Sequence, residues 1–109
     1  MKSHAYVMAM TFVRPRLEDV PLETALHALA DPARLEIVRN LAHQSDLDCE
    51  CALPSGDIPK STRSNHFKIL RAAGLVETRK EGRRYLSKLR KREFDRRFPK
   101  LLDAVLKAQ

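Results

Sequence analysis

The chain of 109 residues has no tryptophan, only three glycines and two cysteines, and fewer acidic than basic side chains. Each shortage excludes something. Three glycines leave little room for a loop that cradles phosphates, and neither a nucleophile elbow nor a paired-carboxylate pocket stands out, so the sequence does not read as an enzyme. Two cysteines make no disulfide framework in a domain of this size, and a reducing cytoplasm is the expected compartment. No stretch reaches the roughly eighteen apolar residues that a membrane span needs. The N-terminus lacks a basic region followed by a long apolar run, so no secretory signal is expected. Fourteen Asp and Glu against 21 Lys and Arg give a formal charge of +7. The pI near 9.9 points to an anionic partner, nucleic acid first and an anionic membrane second.

What is present fits one globular domain, or one protomer of a small oligomer: 43% of residues are apolar and 32% charged. The positive charge is concentrated. Eleven of the 21 Lys and Arg fall between Arg79 and Lys100, opposed there only by Glu81, Glu93 and Asp95. A solvated helical face would account for such a run. Its position, directly behind the most polar stretch of the chain, favours nucleic acid.

That polar stretch is Lys60 to Gly74. Its pattern predicts a helix capped by Ser61 or Thr62 and closed by Gly74 in a left-handed conformation. Phe67 and Leu70 share one face and are expected inside. Lys60, Ser61, Thr62, Arg63, Ser64, Asn65, His66 and Lys68 load the first turns with groups suited to base edges and phosphate oxygens. This helix reads as the part that contacts double-stranded DNA.

Around it the chain divides into an N-terminal arm, residues 1–16, and a domain, residues 17–109. The arm carries Tyr6, Val7, Met8, Met10, Phe12 and Val13. That is too apolar for a free tail, and part of it is expected to pack on the domain or on a second subunit. A first helix from about Pro21 to Ala30 has Leu22, Leu26 and Leu29 on one face, beside Ala25 and Ala28. Asp31 and Pro32 open a second helix as N-cap and first-turn residue, with Leu35, Ile37, Val38, Leu41 and Ala42 as its apolar side and Arg34 and Arg39 off it. Residues 43–60 are the least regular, with a short helical turn expected over Asp48 to Leu53 and a stop at Pro54-Ser55-Gly56. Leu75 to Arg79 and Arg84 to Leu89 alternate about Glu81-Gly82 and predict a two-stranded hairpin with a basic tip. A last helix from about Lys91 to Ala108 has Phe94, Phe98, Leu101, Leu102, Val105 and Leu106 on one face. Pro99 predicts a kink or break within it.

This order is mostly α with a small β-hairpin wing, a winged helix-turn-helix. Two runs then resemble one family. His27-Ala28-Leu29-Ala30-Asp31-Pro32-Ala33-Arg34-Leu35-Glu36-Ile37-Val38 resembles the alanine/serine-Asp-Pro-Thr-Arg-Leu-x-Ile-Leu signature of the ArsR (ArsR/SmtB-type) transcriptional repressors. Ser61 to Val76 resembles their recognition helix and the start of the wing, and Arg79 to Tyr85 their wing tip. The likeness covers about residues 21–106. It implies a bacterial, cytoplasmic homodimer joined through its N- and C-terminal helices. Such a dimer would act as a transcriptional repressor on a roughly palindromic operator, with half-sites about a helical turn apart. The apolar faces of the first and last helices exceed what one small core needs, which agrees independently with a dimer. The resemblance also marks the helix from Ser61 as the major-groove element and Arg79, Lys80, Arg83 and Arg84 as wing contacts.

Two departures stand out. Arg63 occupies a position that is often apolar in the family, four residues before Phe67, so it must bend away from the inward face. The helix before the turn is shortened and interrupted by Pro54 and Gly56.

Metal-sensing members carry a Cys-x-Cys pair close to where Cys49-Glu50-Cys51 falls. Thiolates suit a soft metal, but a third ligand would have to come from His43, Asp46, Asp48, Glu50 or a partner's His4. A redox pair is the other alternative, although a bridge across i, i+2 is strained. Ordinary cysteines are the favoured reading, so no metal or other cofactor is expected. The family's second metal site, on the last helix, has no counterpart, because no His follows His66. His27 is expected to be packed. Tyr85 suits a sugar or phosphate contact as well as a packed strand position. Asn65 and His66 are the expected choosers of sequence, and Arg83 and Arg84 the expected source of phosphate affinity. No effector is named by the sequence. The competing class is a basic winged helix that binds RNA or a protein partner without reading an operator.

Overall fold

The computed structural model describes residues 12–48, 52 and 58–108. A 3-10 turn at Leu17–Asp19 leads into α1, Leu22–Leu29. Pro21 stands at its N-cap rather than in its first turn. Ala25, Ala28 and Leu29 are buried, whereas Leu22 and Leu26 remain 49% and 45% exposed, so the leucine face expected of this helix is divided between core and surface. His27, expected to be packed, is exposed. α2 spans Pro32–His43, and Asp31 Oδ2 accepts from the backbone N–H groups of Ala33 at 2.9 Å and Arg34 at 3.1 Å. An N-cap of this kind contributes about 1 kcal/mol. Burial alone would raise the Asp31 carboxyl. The Arg34 N–H and charge and the Ala33 N–H outweigh that and hold it below its ordinary value.

α3 spans Lys60–Ala72. Its start corrects the expected cap: Pro59 holds the N-cap position, no side chain caps the helix, and Ser61 and Thr62 lie exposed inside the first turn. Its end follows the expectation. Gly74 has φ +74°, the Leu75 N–H reaches the Leu70 carbonyl at 3.1 Å, and the Gly74 N–H reaches that of Arg71 at 3.1 Å. These two bonds form a Schellman closure, with Leu75 packing back on the last turn. A methyl at Gly74 would also stand 2.8 Å from Leu17 Cδ1.

β2, Val76–Glu81, and β3, Arg84–Leu89, pair antiparallel from Val76↔Leu89 to Glu81↔Arg84 around a Gly82-Arg83 tip. Gly82 takes φ +62°, as the first position of a two-residue hairpin turn demands. The expected hairpin forms, and beyond it β1, Leu47–Asp48, adds to the free edge of β3 and gives the order β1-β3-β2. The expected helical turn over Asp48 to Leu53 and its Pro54-Ser55-Gly56 stop lie largely outside the described residues. Of that segment, Ala52 is fully buried and its carbonyl accepts from Asn40 Nδ2 at 2.9 Å.

The C-terminal helix is broken in two, as Pro99 requires: α4 is Lys91–Arg97 and α5 is Leu101–Lys107. Lys100 turns the corner at φ +67°. Lys91 spans the break, with Nζ 2.6 Å from Asp95 and 3.3 Å from Asp103. The core gathers α1, α2, the inner side of α3, the base of the wing and α4, with Phe94, Ile37, Leu70, Leu75 and Leu102 enclosed. Burying each such side chain stabilises the fold by about 1.5–3 kcal/mol.

Two arginines of the basic run bond to the N-terminal segment, Arg90 from within the core and Arg97 from the surface. The Arg90 side chain is 1% exposed, donating from Nη1 to the Pro15 carbonyl at 2.8 Å and meeting Glu93 through Nε and Nη2. Arg97 donates from Nε to the Leu17 carbonyl and from Nη2 to that of Val20, both at 3.0 Å, and lies over the Phe98 ring. They hold the segment that enters α1 against α4.

Candidate nucleic-acid interface

α3 presents one continuous polar side. Lys60, Ser61, Thr62, Ser64, Asn65 and Lys68 are exposed, and Ser61, Asn65 and Lys68 fall at i, i+4, i+7 on one face. Phe67 and Leu70 hold the opposite face in the core. With Pro59 at the N-cap and no acidic residue in the first turn, the positive end of the helix dipole stands beside this polar side.

Two α3 residues depart from that side. Arg63, expected to bend away from the inward face, stays half-buried with its Nε enclosed. His66 is 9% exposed and turned away from the polar side, its Nδ1 3.3 Å from Nη1 of buried Arg34. The structure therefore separates Asn65 from His66, which the sequence had placed together as sequence choosers: consecutive helical residues point about 100° apart.

The wing follows α3 directly and is tied to it by Arg71, whose Nη1 donates to Thr78 Oγ1 at 3.2 Å. Arg79, Lys80, Arg83 and Arg84 are all exposed, but they are not equivalent. Arg79 meets Asp46 at 2.6 Å and Glu81 at 2.9 Å, and the hydrogen bond to Asp46, followed by that to Glu81, raises its pKa. Arg84 Nε lies 3.5 Å from Asp48. Lys80 stands over the Tyr85 ring, 5.8 Å from its centroid. Among the described residues Arg83, at the tip, forms no ion pair, and neither do Lys60 and Lys68. Besides Glu81, the acids beside Arg79 and Arg84 come from the turn before β1 and from β1 itself, an element the sequence does not announce.

The wing receives the N-terminal segment, Phe12 near the tip pairs and Arg14 near the base. Phe12 meets Tyr85 edge-on at 5.7 Å, and the Arg71 guanidinium lies 4.5 Å from the Phe12 centroid. Tyr85 thus packs on one side while staying 39% exposed. Arg14 bridges Glu77 at 2.8 Å and Glu93 at 3.1 Å. Burial works to raise Glu77, but the Arg14 hydrogen bond and the Arg14 and Lys88 charges prevail and lower it. For Glu93 the hydrogen bond from Arg90 leads, and it too lies below the ordinary carboxylate value. Phe12 thereby joins the domain, as expected for part of the arm; residues 1–11 lie outside the described residues.

Cys49, Glu50 and Cys51 also lie outside them. Among the described residues no group of three or more His, Cys, Asp or Glu is placed to hold a metal ion. No helix among them is long and apolar enough to cross a membrane.

Comparison with known proteins agrees with this geometry. A family described as "Bacterial regulatory protein, arsR family" matches residues 31–78, from the Asp31 cap to the third residue of β2. An uncharacterized HTH-type transcriptional regulator of Bacillus subtilis (strain 168), YceK, is 39% identical over 79 residues, spanning 72% of this chain and 79% of the relative. An uncharacterized HTH-type transcriptional regulator of Methanocaldococcus jannaschii is 41% identical over 56 residues, spanning 50% of this chain and 62% of the relative.

Proposed function

The chain belongs to the arsR family of bacterial regulatory proteins, and from that premise we propose that this DNA-binding transcriptional regulator is a repressor acting as a homodimer on a near-palindromic operator. The family is one of transcription regulators and not an enzyme class. The observation that carries the proposal is the pairing of a 13-residue helix, polar along its exposed side, with a wing tip whose Arg83 is free of carboxylates among the described residues.

In this reading the polar side of α3 lies in the major groove. Asn65 is the base reader, since its amide can donate and accept at once. Ser61, Thr62 and Ser64 bond phosphates or base edges, with Lys60, Arg63 and Lys68 at the margins. Arg83 leads the wing contacts with phosphate, joined by Lys80, while Arg79 and Arg84 exchange their carboxylate partners for phosphate on binding. Leu22 and Leu26 supply the dimer surface with the half-buried Leu101, Val105 and Leu106 of α5. Two such protomers set the two α3 helices about one helical turn of DNA apart. The domain is residues 17–109 and the arm residues 1–16, with no membrane partner and a cytoplasmic location.

Fluorescence anisotropy with operator and scrambled duplexes across a salt series tests the reading, alongside sedimentation for oligomeric state. The expected outcome is a dimer that prefers its operator and loses affinity steeply with salt. Equal affinity for scrambled duplexes would instead favour the alternative class, a basic module for RNA or a protein partner.

A further inference from the structure

Arg34 is the most enclosed cation outside the clamp on α4, at 7% exposure, and nothing in phosphate binding accounts for it. Its fork has three destinations. Nε donates to the Ala28 carbonyl at 2.8 Å and Nη2 to the His27 carbonyl at 3.1 Å. Both carbonyls belong to the last turn of α1, where acceptors lack the full set of helical partners; that of His27 also accepts from the Ala30 N–H at 3.1 Å. Nη1 lies 3.3 Å from His66 Nδ1 in α3. A guanidinium carries donors only. His66 Nδ1 must therefore be the acceptor, which places the ring proton on Nε2.

From this geometry we propose that Arg34 is a positioning residue for DNA recognition: through His66 it fixes the rotation of α3 about its own axis relative to the end of α1. His66 follows Asn65 directly, on the side of α3 turned from the polar face. A bond that pins His66 inward therefore determines where Asn65 points. On the reading given above, α1 also carries the exposed leucines of the dimer surface. Arg34 then bonds at one end to the helix setting the dimer and at the other to the helix reading the groove. The proposal rests on the regulator reading only for its DNA consequence; the tautomer and the bond follow from the protein alone.

Lysine cannot replace Arg34, because one ammonium on a flexible stem cannot meet three acceptors in fixed directions. At position 66 an acceptor at the Nδ1 location is required and the rest of the ring is not. Asn can offer its Oδ1 there, and Leu offers nothing.

The test uses the full chain. Nitrogen-15 NMR of the imidazole in wild type should show His66 with Nδ1 unprotonated and Nε2 protonated; the reverse tautomer overturns the proposal. His66→Leu, Arg34→Lys and His66→Asn are then compared for operator and scrambled-duplex binding at temperatures where each is folded by circular dichroism. His66→Leu and Arg34→Lys should lower the preference for operator over scrambled duplex by about tenfold, the scale of one charge-assisted hydrogen bond, with scrambled-duplex binding nearly unchanged. His66→Asn should restore most of the preference. A His66→Leu protein with unaltered preference, or equal losses on both duplexes, overturns the proposal. If wild type shows no sequence preference at all, the regulator reading fails, and the tautomer alone decides whether the Arg34–His66 bond exists.

Discussion

The wing tip and the start of α4 draw on the same basic run, yet they use it in opposite ways. Arg83 is exposed and forms no ion pair among the described residues, whereas the Arg90 side chain is 1% exposed and bonded to the Pro15 carbonyl and Glu93. Arg97 likewise spends its donors on the carbonyls of Leu17 and Val20. Charge counted along a sequence is therefore not charge offered to a partner. A guanidinium whose donors meet backbone carbonyls and a carboxylate acts as a clamp, and one surrounded by water keeps its donors open to a partner.

Substitutions can break or sharpen that contrast. The largest effect is expected from Arg90→Ala. Removing a buried, charge-assisted hydrogen-bond donor should cost about 2–3 kcal/mol of stability, measured by urea denaturation, while the folded fraction binds DNA as wild type does. Next comes Asn65→Ala. It should leave stability within about 0.5 kcal/mol but reduce discrimination between operator and scrambled duplex by about 1–3 kcal/mol, read by anisotropy. Gly74→Ala should destabilise by about 1–2 kcal/mol through its left-handed backbone alone, a loss confined to thermal unfolding if the Schellman closure persists.

Smaller effects concern the carboxylates that hold cations back. Glu77 and Glu93 have folded pKa values below their ordinary ones, so their pairing with Arg14 and Arg90 stabilises the protein above roughly pH 4.5 and fades as pH falls through the lowered folded values. Solvent screening keeps the Arg14 share below about 1 kcal/mol. Arg14→Ala should flatten the acid limb of a stability-against-pH curve. Asp46→Asn should release Arg79 from its 2.6 Å partner and strengthen binding to every duplex by about twofold, seen in anisotropy at low salt.

Much of this was legible in local chemistry. Asp31-Pro32 opens α2 where an N-cap and a preset φ coincide, Gly74 closes α3 where only a residue tolerant of positive φ fits well, and Pro99 breaks the last helix. Ser61 and Thr62 are good caps in the abstract, yet Pro59 already ends the extended segment and α3 starts at once. The inward turn of His66 depends on an acceptor requirement set by Arg34, 32 residues earlier. Arg90 and Arg97 reach carbonyls 75 to 80 residues away. No spacing rule encodes such reach, since a long side chain finds its acceptor only after the chain has folded. The two residues of β1 carry no alternation of their own and become a strand because β3 offers a free edge.

The salt dependence of DNA binding tests the central contrast most directly. Each phosphate contact contributes a slope of about −0.9 to log affinity against log salt concentration. With wild type, Arg83→Ala and Arg97→Ala compared at equal folded fraction, the slope should become shallower by about one for Arg83→Ala and stay at the wild-type value for Arg97→Ala. Equal flattening by both substitutions would contradict the division of the basic run into a phosphate-binding wing and a structural clamp.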